Sequence, residues 1–100
     1  MKLSVFRLAP NEEIALELDL ATSFLASGET VSSYSVTLET SGGSDISETN
    51  LSGDASEASG VITSPVVSGL ADGSNYKLRF EFVVSGLTYE YWILIECRDV

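Results

Sequence analysis

The sequence predicts an all-β domain built as an antiparallel β-sandwich of about seven strands. Residues 76–82 carry Tyr76, Leu78, Phe80 and Phe82 on one side and Lys77, Arg79 and Glu81 on the other. A side-chain period of two is the mark of a strand with one buried face. A turn at Ser85-Gly86 follows, and a second apolar run extends from Thr88 to Cys97, so the pair reads as a hairpin. Turn residues then recur at roughly ten-residue spacing through the rest of the chain, with no stretch that holds a helical stripe.

Taken in order, residues 1–10 form a first strand or an N-terminal arm in which Leu3, Val5, Phe6 and Leu8 mix with Lys2 and Arg7. Pro10-Asn11 breaks the chain. Residues 12–20 place Ile14, Leu16, Leu18 and Leu20 on alternate positions, which on a helix would wind round the axis rather than share a face. A strand is therefore expected, although Glu, Ala and Leu favour helices. Phe24-Leu25 is expected to plug one end of the core, and Gly28 to turn the chain. Residues 31–40 form a Ser/Thr-rich strand with Tyr34, Val36 and Leu38 on one face. Ser41-Gly42-Gly43-Ser44 is a loop, and Ile46 is expected to open a short strand. Residues 50–60 are polar and read as a loop or weak edge strand. Residues 60–67 form a further strand, which Pro65 confines to an edge or a bulge.

One hundred residues with 44% hydrophobic content make a single domain, residues 1–100, with one core. The net charge is −10 and no Lys or Arg lies between Arg7 and Lys77. Nucleic-acid binding needs clustered cations to neutralise phosphates, so it is not expected. Nor is a membrane partner, because no apolar run reaches the roughly 20 residues needed for a helical span. Cys97 is the one cysteine, so no intrachain disulfide can form. After Lys2 the apolar run is broken by Ser4 and Arg7 and stopped by Pro10, unlike a secretory leader. Synthesis in a cytoplasm is expected.

No catalytic constellation is legible. The chain lacks histidine, and no phosphate-binding loop, nucleophile elbow or zinc-ligand spacing occurs. Cys97, in an apolar strand without a histidine partner, reads as an inert buried thiol. Asp45, Glu48, Asp54 and Glu57 could offer oxygen ligands to calcium but lack the order of a calcium loop, and read as a solvated acidic loop. The expectation is a non-enzyme with no cofactor and no metal.

Leu70, Gly73 and Tyr76 carry a different signal. The Leu-x-x-Gly-x-x-Tyr run before an alternating strand resembles the tyrosine corner of immunoglobulin-like and fibronectin type III domains. Gly73 reverses the chain, and the Tyr76 hydroxyl bonds back to the upstream backbone. The antibody marks are missing: there is no cysteine pair, and Trp92 falls in the last strand rather than the third. In that last strand Trp92 and Leu94 are expected to face outward beside Glu90 and Glu96. Such a tryptophan is expected either to be covered by a loop or the N-terminal segment, or to mark a protein contact.

Two stretches extend the resemblance. Asp19-Leu20, Phe24-Leu25, Gly28-Glu29-Thr30-Val31 and, further on, Val67-Ser68-Gly69-Leu70 with the Gly86 hairpin resemble immunoglobulin-like phage virion proteins. These include the fibre–tail and head–tail adaptor types. Phe24 stands where that family often has tryptophan. The resemblance implies a structural virion protein, made in the host cytoplasm, that binds other phage structural proteins or itself. Phe6, Trp92 and Leu94 are the contact candidates. The alternative is a stand-alone adhesin or carbohydrate-binding sandwich, against which stands the scarcity of aromatics in the loops.

Overall fold

A computed structural model describes residues 3–22 and 24–98. Met1 and Lys2, part of the expected N-terminal arm, lie outside them. The described chain is mostly strand, with one four-residue helical turn. The strands are β1 (Leu3–Leu8), β2 (Glu17–Asp19), β3 (Val31–Thr40), β4 (Leu51–Ser52), β5 (Ser56–Ala58), β6 (Val61–Thr63), β7 (Val66–Val67), β8 (Asn75–Val84) and β9 (Leu87–Cys97). The helical turn, α1, is Ser47–Asn50.

The strands form a four-stranded sheet in the order β1-β9-β8-β3, a three-stranded sheet β2-β6-β5 and a two-stranded pair β4-β7. The all-β class therefore stands, and the arrangement is compatible with a sandwich. It is not purely antiparallel: β1 runs parallel to β9, Phe6 level with Ile95 and Leu8 with Cys97. A parallel neighbour requires a long crossover, and here nearly the whole chain lies between the two strands.

The core follows from the alternation. In β8 every second residue from Tyr76 to Val84 is buried. Leu38 on one flank, and Ile93, Ile95 and Cys97 on the other, complete the inner face of the large sheet. Against it pack Leu18, Leu20, Ile62, Val67 and Leu70 from the opposite side, in one hydrophobic cluster. Removing such side chains from water, at roughly 25 cal/mol per Å² of apolar surface, is the main force holding the layers together.

Several expectations need revision. The strand expected over 12–20 shortens to β2, although its alternation holds: Leu18 and Leu20 are buried, Ile14 and Leu16 half-buried, and the residues between them exposed. Ile14 instead bridges to Val67, exchanging backbone bonds of 3.1 and 2.7 Å. The strand expected over 60–67 splits into β6 and β7 at Ser64-Pro65, where the chain passes from pairing with β2 to pairing with β4. Proline cannot donate to a ladder. Ser64 compensates at this break: its hydroxyl accepts from the Leu16 N–H at 2.9 Å and donates to the Pro65 carbonyl at 2.8 Å.

Ile46 opens no strand. The Asp45 carboxylate accepts from both the Ser47 N–H and hydroxyl, at 2.9 and 2.6 Å, and the chain bends into α1. Such local side-chain bonds compete with ladder formation. The polar stretch 50–60 takes the edge-strand alternative in part, supplying the short strands β4 and β5 at sheet edges.

Candidate functional site

The corner before β8 positions the large sheet. Gly73 has φ +84°, and its N–H donates to the Cys97 carbonyl at 2.8 Å. The Ala71 N–H donates to the Tyr76 hydroxyl at 3.0 Å. Leu70 and the Tyr76 ring are both buried in the core cluster. The corner thus ties the start of β8 to the end of β9. At the far end of the same hairpin, Ser85 and Gly86 both take positive φ, 53° and 77°. That is the two-residue turn whose twist matches flanking antiparallel strands.

With both ends pinned, alternate residues of β8 and β9 are forced onto the outer face. Cross-strand pairing sets Lys77 against Leu94, Arg79 against Trp92 and Glu81 against Glu90. From β1, Val5 stands level with Leu94 and Arg7 with Glu96. From β3, Glu39 stands level with Lys77 and Thr37 with Arg79. Trp92 is half-buried, with the Lys77 ammonium 5.4 Å and the Arg79 guanidinium 5.7 Å from its ring. Cations over an indole face are attracted by its quadrupole. Arg7 pairs with Glu96 and Arg79 with Glu90, each at 3.4 Å. Two polar atoms on this face, Thr37 Oγ1 and Arg79 Nε, are buried without a hydrogen-bond partner.

Of the contact candidates, Trp92 and Leu94 share this face and are half-buried. Phe6 does not join them: it packs against the core cluster on the inner side. Its neighbour Val5 takes the outward position and is 62% exposed. The single-residue shift follows from the strand period, because Phe6 pairs with Ile95 and must share its face. The β1 register was the missing signal, and the short mixed run over residues 3–8 does not reveal it.

The remaining candidates offer less chemistry. Cys97 is buried, and burial first, then the nearby Asp72 charge, push its thiol above the ordinary range. A thiol held protonated is a poor nucleophile. The described residues hold no group of three or more metal-ligating side chains. Glu57 is occupied in accepting from the Gly60 N–H at 2.9 Å.

Phe24 caps the core edge-on to Phe82 and Tyr89, at ring separations of 5.4 and 4.8 Å. Beside it lies an open groove of about 650 Å³ lined by Leu25, Glu29, Thr30, Glu57 and Gly60 among others. No aromatic ring lines the groove, so it offers no stacking platform for a sugar. Its two carboxylates are already engaged: Glu29 accepts from the Ala26 N–H and the Ser85 hydroxyl, and Glu57 from Gly60.

No described helix is long and apolar enough to cross a membrane. The chain matches no family model, no curated protein and no solved structure.

Proposed function

We propose that this chain is an immunoglobulin-like sandwich serving as a non-enzymatic structural component of a phage virion, acting through protein–protein contacts. The immunoglobulin part is supported by strand order. The runs β2-β6-β5 and β3-β8-β9 match the B-E-D and C-F-G orders of that fold. The corner bond to the Tyr76 hydroxyl agrees with it. The virion part is supported by the resemblance of 19–33 and 67–86 to phage structural proteins.

One observation carries the contact role: Val5, Trp92 and Leu94 form an apolar strip on the outer face of the large sheet, bordered by Arg7, Lys77 and Arg79. Tryptophan and arginine are the residue types enriched where binding energy concentrates. The test is mass spectrometry of purified particles produced by the genome that encodes this chain. The proposal expects its peptides at a copy number comparable with other virion proteins. Their absence from intact particles would refute it.

A further inference from the structure

We infer that the outer face of the large sheet binds a second copy of the same chain, face to face, about a two-fold axis. The inference shares the contact face of the proposed function but not its assignment to a virion.

Charge distribution selects the occupant. The described cations Arg7, Lys77 and Arg79 all project from this face, and Arg98 follows directly on β9. Five carboxylates lie on or beside the face: Glu39, Glu81, Glu90 and Glu96, with Asp45 bridged to Glu39 at its β3 edge. The face with Arg98 is therefore near neutral, whereas the chain as a whole carries −10. Because the described strand cations gather here, two copies can meet across this face with opposite charges opposed, which offsets part of the repulsion between two acidic chains.

The pattern along the strands selects the symmetry. Lys77 and Glu81 occupy the same face of β8, one on each side of Arg79. Lys77 has no carboxylate within ion-pair distance among the described residues, its neighbour Glu39 included, and Glu81 has no cation. Glu81 also stands level with Glu90, an unfavourable like-charge pair. Consider an axis between the two sheets, perpendicular to the strands and level with Arg79 and Trp92. It reverses the strand direction and lays Lys77 of one copy over Glu81 of the other, twice. The Trp92 rings meet near the axis. Each Arg79 arrives already paired with Glu90, so the guanidinium charges are offset. An isologous contact of this kind closes on itself and does not propagate.

The face spans roughly 500–600 Å² in plan, from strand rise and spacing. That lies at the small end of specific interfaces, so association is expected only at micromolar or higher concentration.

Sedimentation equilibrium of the full chain tests this, with circular dichroism confirming that each variant is folded. The wild type should form dimers, Lys77→Glu should weaken them by about tenfold or more, and the double variant Lys77→Glu/Glu81→Lys should recover most of the loss. A monomer at all concentrations up to about 1 mM, on the affinity scale of weak contacts, would overturn the inference. So would a dimer indifferent to Lys77→Glu, or an open-ended polymer. A monomer that is nonetheless found in particles would leave the proposed function standing, and a charge-swappable dimer absent from particles would refute only that function.

Discussion

At the scale of single residues, Tyr76 carries two duties. Its ring lies in the core and its hydroxyl accepts the Ala71 N–H. Tyr76→Phe keeps the ring and leaves that N–H unpaired in a part-buried corner. The expected loss is about 1–2 kcal/mol in urea unfolding, with an unchanged fold. Gly60 tests backbone and packing together. Its φ is +84°, and an added Cβ would lie 2.9 Å from the Ala21 Cβ. Gly60→Ala should therefore cost about 2–3 kcal/mol, from left-handed strain plus contact. Gly28→Ala, at φ +85° with open space around it, should cost only the strain, about 1–2 kcal/mol. Equal losses at the two sites would contradict the close approach of Ala21. Tyr76 and Gly73 were legible because a corner has a local sequence signature. Phe6 was not, because a six-residue strand with apolar residues at both parities, Val5 and Phe6, leaves its register to the partner strand.

At the scale of elements, the long hairpin was the most readable feature, since a ten-residue alternation leaves no ambiguity about which side is buried. Short strands were harder. β6 and β7 are continuous in composition, yet they part at Ser64-Pro65 because two different partners claim them. Pro65 signals the irregularity, but no local pattern says which partner each half takes. The bend into α1 was hidden for the opposite reason: one side chain, Asp45, decides it. Hydrogen bonds from the Ser47 hydroxyl and N–H hold the Asp45 carboxyl below its ordinary value of 3.8. Bonds from Ala26 and Ser85 likewise hold Glu29 below 4.5. Carboxylates depressed in the folded state stabilise it above their unfolded values, and that contribution is lost as pH falls through the folded ones. The urea midpoint should thus fall on acidification below about pH 4.5. Asp45→Asn combined with Glu29→Gln should flatten that fall. An acid response identical to wild type would contradict the assigned bonds.

For the whole molecule, composition was informative about what to exclude and silent about arrangement. A net charge of −10 argued against nucleic acid, but only the fold reveals that the described cations of the strands collect on one sheet face. The outward placement of Trp92 and Leu94 was legible from the period of β9. Their half-burial was not, because Lys77 and Arg79 come from β8, and only cross-strand register sets them over the ring. The proposed dimer makes the sharpest demand on the whole molecule: this face must pair with its own copy. Trp92 is the chain's single tryptophan, so its fluorescence reports the face directly. The most direct measurement is acrylamide quenching of that fluorescence across a protein dilution series. Pairing through the face gives strong protection at high concentration that is lost on dilution, with the loss moved to about tenfold higher concentration or more in Lys77→Glu. Quenching that is the same at every concentration, and the same in that variant, would contradict it.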